Sequence, residues 1–327
     1  MKGNYWKLGK WVLLLFILVA FPYLAGDDFF IHLAIVIEIW VVLVLSLNLI
    51  VGYTGQVSFC HAAFYGIGAY TSALLTLRMG FSFWSALPLG AISAGFLALL
   101  IGLPSFRVRG AYFSIITMAF GELVQIIFHN WRGLTNGPDG LPGIPPPPTI
   151  PLPILSNFVF SEKTAFYYLS LIAALATVLI LRRLVQSRVG RAFVAIREDE
   201  GYARSIGIDP MSYKLLSFVI GAMFAGMAGC LYAHYFLYIS PASFTIFQSF
   251  DILLMVIIGG MGSILGPIFG AIFLTSMPEY LHLANEYRMV IYGLLLVVVI
   301  ILAPQGLVGA AQSIRTGLFA GREKRGP

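Results

Sequence analysis

"GRAFVAIREDEGYARSIGID" occupies Gly190–Asp209. It packs Arg191, Arg197, Glu198, Asp199, Glu200, Arg204 and Asp209 into a chain that otherwise avoids charge, and Arg182, Arg183 and Arg188 stand just before it. Only 10% of the 327 residues are charged and 59% are hydrophobic, whereas a soluble domain averages about 25% charged. So few charges cannot clothe a water-soluble fold of this length, so most of the surface must meet lipid. The charged stretch is the exception, and its place relative to a membrane organises the rest.

Outward from it, hydropathy marks about ten apolar segments, near 11–25, 29–50, 58–77, 83–103, 110–128, 165–181, 214–236, 248–259, 264–281 and 288–304. The first resembles a secretory leader, with a basic start and an apolar core. Because the rest of the chain also spans, it reads as a retained first helix. With the N-terminus inside, 16 of the 20 Lys and Arg residues fall on the cytoplasmic side, as the positive-inside rule requires. The net charge of +6 is then a signature of orientation rather than of nucleic-acid binding. The expected fold is all-α: one polytopic membrane domain over 1–327, with about ten (eight to ten) transmembrane segments and both termini cytoplasmic. Its 34 glycines and 17 prolines predict that some spans are broken. An external Gly/Pro-rich loop is expected over 129–163, with polyproline II at Pro145–Pro148. A cytoplasmic charged loop is expected over 182–213 and a basic cytoplasmic tail over 305–327.

Two glycine clusters stand out. "LNLIVGYTGQVSFCHAAFYGIGAY" (Leu47–Tyr70) sets Gly52, Gly55, Gly66 and Gly68 among Asn48, Thr54, Gln56, Ser58 and His61. "GGMGSILGPIFGA" (Gly259–Ala271) contains Gly259, Gly260, Gly262 and Ser263. Each puts a G-x-x-G step beside a small polar residue, a hint of internal repetition. Two readings fit. A broken helix lines or hinges a translocation path, or small residues let two helices pack closely. The first makes Asn48, Gly52, Gly55, Gln56, Ser58, His61, Gly259, Gly260, Gly262 and Ser263 candidate path or hinge residues. Glu38 and Glu122 fall inside expected spans and Asp251 near the start of one. Such acids serve an ion relay or a substrate ammonium, or they are structural braces satisfied by neighbouring polar groups.

Enzyme signatures are missing. No phosphate-binding GxxxxGK[ST], no GxSxG and no HExxH occurs. Cys60 and Cys230 lie in apolar segments without disulfide or metal spacing, and the five histidines are scattered. No catalytic residue, cofactor or metal is expected in this chain.

The charged stretch has good helix propensity from Arg191 to Ile206, and Gly207 with Pro210 stops it. Phe193, Ile196 and Ile206 are apolar residues with no membrane to enter. The segment is either a helix along the membrane surface onto which a partner docks, or a solvated loop that enforces orientation.

Here the sequence resembles a family. The stretch is similar to the cytoplasmic coupling segment of ABC-transporter permeases, and its "GRA-x-x-AIREDE…A-x-x-x-GI" form to permeases for branched-chain amino acids (LivM type). Both glycine clusters and "LTNGPDGLPGIP" (Leu134–Pro145) resemble the same family. The resemblance implies a non-enzymatic permease subunit of a bacterial inner-membrane importer. A second permease subunit, a paralogue, would complete the path. Two cytoplasmic ATPases would hold ATP and Mg, and a periplasmic binding protein would deliver leucine, isoleucine or valine. On that model Arg197, Glu198, Asp199, Glu200, Tyr202, Ala203 and Gly207 form the ATPase-coupling loop. Gly201 and Tyr202 depart from the alanines commoner there, and Tyr202 enlarges the docking knob. Two alternatives stay open: a related permease for urea or short-chain amides, and an ion-coupled secondary transporter using Glu38 or Glu122.

Overall fold

The computed structural model describes residues 16–24, 26–108, 110–149, 160 and 162–280, with the isolated helical positions Gly293 and Val297; of 278–280 it describes the backbone alone. The expected span at 288–304 and the basic tail at 305–327 lie outside the described residues, as does the start of the first segment.

After a helix over 16–24 (α1), the central element is α2, Asp28–Asn48. Asp27 caps it by accepting the Phe29 N–H at 3.1 Å. Its apolar residues run around the whole circumference, the pattern of a helix enclosed by others. It packs against α7 (Lys163–Gln186), α10 (Pro210–Phe236), α11 (Ile246–Gly259) and α12 (Leu265–Tyr280). At its end α2 passes into a π turn, Leu49–Tyr53.

A second group crosses through small residues. α3 (His61–Met79), α4 (Phe83–Ser105) and α10 are in mutual contact. A Cβ on Gly68 would collide with the Gly226 backbone, and one on Gly229 with the Tyr65 carbonyl. Such contacts are the small-residue packing that holds helices together in lipid, where no hydrophobic effect acts between them. α5 (Ala111–Asn130) leans on α3 and turns Tyr112, Ile115, Leu123 and Ile126 outward, a face suited to lipid.

Among the described residues, five helical stretches are long and apolar enough to cross a membrane: Asp28–Tyr53, Phe83–Ser105, Ala111–Asn130, Lys163–Gln186 and Pro210–Phe236. At 1.5 Å per residue each reaches about 30 Å. The other expected segments within the described residues are helical too, but they differ in kind. α3 has 19 residues and a polar, glycine-rich, largely buried sequence. α11 has 14 residues, about 21 Å, too short to cross. Glycine and proline end it on both sides, with the 3-10 turn Pro241–Phe244 before it and Gly260 after it.

The bundle has two ends. At the far end, Lys163 pairs with Asp28 at 2.9 Å. There the Gly/Pro-rich loop folds back onto the helices. It forms two short turns, α6 (Arg132–Thr135) and a 3-10 turn at Gly137–Asp139. It then pairs Leu141 with Ile239 and Pro142 with Tyr238 in a two-residue antiparallel ladder, β1 to β2. The Pro145 carbonyl receives His234 Nδ1 at 2.7 Å, and the Pro148 carbonyl receives Trp84 Nε1 at 3.2 Å. Residues 150–159 of that loop lie outside the described residues. The opposite end carries the charged stretch.

Candidate functional site

The charged stretch is two helices where sequence propensity predicts one. α8 spans Arg188–Glu198 and α9 spans Glu200–Ser205. The break is Asp199, whose extended backbone lets its carboxylate accept the Tyr202 N–H at 2.9 Å. A side chain that caps a new helix competes with continuing the old one, so the aspartate divides the propensity run. Ser187 caps α8 in the same way, accepting from Val189 and Gly190. Gly207, at φ +85, ends α9, and Asp209 then caps α10 with Pro210 in its first turn. The Ser212 hydroxyl and the Ser212 and Met211 N–H groups hold the Asp209 carboxyl below the usual carboxylate range.

The apolar residues of the stretch divide into two sets. Phe193 and Ile196 are buried within this chain, Phe193 edge-on to Tyr213. The expectation that they are stranded docking side chains is therefore corrected: the amphipathic face of α8 covers its own bundle. Tyr202 and Ile206 are the apolar residues left outward, 65% and 56% exposed. Glu198 is outward too, whereas Ala203 is buried. Glu200 turns back to α10, where it meets Lys214 Nζ at 2.7 Å and Arg204 at 3.4 Å.

Arg197, its side chain 36% exposed, reaches back to the bundle with one nitrogen. Its Nη1 donates to the Gly52 carbonyl at 2.7 Å, while Nε and Nη2 fork onto Glu198 Oε1 at 3.2 and 2.7 Å. Gly52 lies in the π turn that closes α2, where a carbonyl lacks an intrahelical partner. The cation thus satisfies an orphan acceptor and sits at the negative end of the helix dipole.

The second glycine cluster arrives at the same point. Between α11 and α12 the chain turns through Gly260 and Gly262, both at positive φ. Asn48 holds that turn, accepting the Gly262 N–H at 3.0 Å and donating to the Ser263 carbonyl at 2.8 Å. Ser263 in turn accepts the Gly266 N–H at 2.9 Å. A Cβ at Gly262 would lie 2.6 Å from Arg197 Nη1, and one at Gly52 2.5 Å from the Gly262 nitrogen. Glycine suits both positions: at Gly52 the Asn48 carboxamide and the Gly262 backbone leave no room for a Cβ, and Gly262 has a positive φ beside the Arg197 guanidinium. Gly55 is at φ +71, and a Cβ there would lie 3.0 Å from Arg197 Cγ.

The structure thus brings together Asn48, Gly52, Gly55, Gly262 and Ser263 from the expected path residues and Arg197 from the expected coupling loop. Gln56 is half-buried beside them, donating to the Thr54 carbonyl. Gly259 packs on the Gly266 carbonyl. Ser58 and His61 go elsewhere. Both are fully buried, Ser58 against Cys60 Sγ at 3.3 Å and His61 Nε2 against Ser46 Oγ at 2.6 Å. Of the three acids, Glu38 is buried in α2 and accepts from Ser170 of α7. Glu122 and Asp251 are half-buried. Among the described residues no three His, Cys, Asp or Glu side chains gather as a metal site.

Sequence reasoning missed two features. One is the Glu200–Lys214 pair, with the Lys214 side chain only 10% exposed. The other is a cavity of about 310 Å³ bounded by Val36, Ile39 and Trp40 of α2, Tyr65 of α3, Tyr232 of α10 and Gln248 of α11. Its residues come from four separated segments, so no local pattern announces it.

A helical bundle with several membrane-crossing helices, and a charged two-helix segment lashed to glycine breaks, defines a multi-pass membrane protein. The chain belongs to the family described as "Branched-chain amino acid transport system / permease component", matched over residues 29–300. It is 38% identical over 314 residues to the high-affinity branched-chain amino acid transport system permease protein LivM of Escherichia coli (strain K12), covering 91% of this chain and 74% of that one. The LivM protein of Salmonella typhimurium is also 38% identical, over 90% and 73% of the two chains. The high-affinity branched-chain amino acid transport system permease protein LivH of Escherichia coli (strain K12) is 27% identical over 83% of this chain and 91% of its own. No solved structure matches.

Proposed function

We propose that this chain is the membrane permease subunit of an ATP-binding-cassette importer for branched-chain amino acids. The observation that carries the reading is the 38% identity to LivM permeases over nine-tenths of the chain. The similarity to LivH, a second permease protein, supports a related subunit beside this one. On this reading the chain sits in the bacterial inner membrane with eight to ten spans. Its termini and the α8–α9 end face the cytoplasm. Clustering of Arg107, Arg182, Arg183, Arg188 and Arg191 around that end supports the orientation. The chain performs no catalysis: ATP and Mg belong to two cytoplasmic ATPase subunits, and a periplasmic binding protein delivers the substrate at the far end.

Each part then has a task. Tyr202 and Ile206 form the knob that enters a groove on the ATPase, ringed by the outward charges of Glu198 and Asp199. Glu200, Ala203 and Gly207 hold that knob in shape from behind. Asn48, Gly52, Gly55, Gln56, Gly259, Gly260, Gly262 and Ser263 are the hinge of the path, and Ser58 and His61 stiffen the start of α3. ATP closes the ATPase pair, the pair moves α8–α9, and the bundle switches between two accessible states. The test is uptake in cells lacking this chain. Energy-dependent entry of labelled leucine, isoleucine and valine should fall and be restored by the gene. Unchanged uptake of all three, or a selective loss of urea uptake, would sink the proposal.

A further inference from the structure

We propose that Arg197 is the positioning residue that carries movement of α8–α9 to α2 and α11, the two helices that wall the cavity, α2 at its middle and α11 at its start. The inference rests on reading α8–α9 as the coupling segment.

Covalent connection alone would send a push on α8–α9 into α7 and α10, its neighbours in sequence. Both junctions are non-helical caps, at Ser187 and Asp209, so neither transmits as a continuous rod. α2 and α11 have no such connection: Gly52 lies 145 residues from Arg197 in the chain. Among the described residues, the Arg197–Gly52 hydrogen bond is the one that joins the segment to the π turn. The fork onto Glu198 fixes the guanidinium plane, so the bond is directional rather than a loose charge contact. Asn48 extends the grip. It fastens the Gly262–Ser263 turn to the end of α2, so whatever moves Gly52 also moves the end of α11.

Both helices reach the cavity away from this junction, α2 at its middle and α11 at its first turn. Trp40 stands twelve residues before Gly52, and Gln248 eleven before Gly259, distances of about 18 and 17 Å along a helix. A displacement applied at Arg197 tilts both the α2 wall at Trp40 and the α11 wall at Gln248. Tyr65 and Tyr232 are held by the glycine-packed α3–α10 contact. The cavity therefore changes shape as the α2 and α11 walls move relative to the α3–α10 pair.

The test uses the assembled importer in membranes. Ser243, half-buried on the cavity wall, is replaced by cysteine, and its reaction with a membrane-impermeant maleimide is timed with and without a non-hydrolysable ATP analogue. Cys60 and Cys230 are fully buried and add little background. With Arg197 intact, the nucleotide should change the labelling rate several-fold. In Arg197→Ala the change should vanish while the ATPase still co-purifies, a separation that mere structural damage does not produce. Arg197→Lys, which keeps one donor for Gly52 but loses the fork, should retain a smaller response and carries the test should the alanine variant not assemble. A full nucleotide response in Arg197→Ala, or in an Arg197→Lys complex that still binds the ATPase, overturns the inference. Absence of any response or any bound ATPase with Arg197 intact overturns the coupling reading itself, and the inference with it.

Discussion

The Asn48 carboxamide holds Gly262 from 214 residues away, accepting its N–H at 3.0 Å while its own amide reaches the next carbonyl at 2.8 Å. Both ends of a buried side chain are satisfied by backbone, and the two glycine clusters become one structure. Asn48→Leu fills the volume but leaves a buried N–H and a C=O unpaired, at a cost of about 1–3 kcal/mol for each orphaned group. We expect a lower melting temperature in detergent and loss of energy-dependent uptake. Retention of both would show that the α11–α12 turn is held by something else.

Phe193 and Tyr202 make opposite predictions although both are aromatic and only nine residues apart. Phe193 is buried, so Phe193→Ala should cost about 3–5 kcal/mol of stability. Tyr202 is 65% exposed, so Tyr202→Ala should leave stability within about 0.5 kcal/mol while weakening retention of the ATPase subunit. Thermal melts and pull-downs on the two variants read the two effects separately. Equal losses of stability would contradict the assignment of inner and outer faces.

Lys214 is nearly enclosed, and Glu200 neutralises it at 2.7 Å. Glu200→Ala strands an ammonium group in a poorly hydrated site, so it should destabilise more than an exposed pair does, by over about 1 kcal/mol. The double variant Glu200→Ala with Lys214→Met should recover most of that loss. A double-variant cycle showing no coupling energy would count against the pair.

Glu38 accepts a hydrogen bond from Ser170 across the α2–α7 contact. Glu38→Gln keeps an acceptor there and removes the ionisable proton. Uptake by the glutamine variant should match the native protein, whereas Glu38→Ala should lower thermal stability. If Glu38→Gln folds normally yet transports nothing, the carboxyl moves protons and the ion-coupled reading returns.

Much of this was legible beforehand because it depends on local pattern. Apolar runs marked the helices, and Gly207 with Pro210 marked the end of the charged stretch. The division at Asp199 was less visible, because propensity averages over the window while one capping side chain decides the break. Burial of Phe193 and Ile196 was invisible for another reason. An amphipathic face looks the same whether it awaits a partner or covers its own bundle. The spans show the same distinction: α3 and α11 are helices, but glycine, polarity and length set them apart from the five stretches among the described residues that are long and apolar enough to cross.

The sequence by itself determined a helical membrane chain, its family resemblance, and a charged segment foreign to lipid. Those follow from composition and spacing, which are properties of neighbours along the chain. Only the tertiary structure decided that Arg197 reaches the Gly52 carbonyl, that Asn48 joins two distant glycine turns, and that Tyr202 and Ile206 alone among the segment's large apolar groups face out. The reason is geometric. An orphan carbonyl at the end of α2 and a glycine turn with room for a guanidinium exist only once separated segments have packed together.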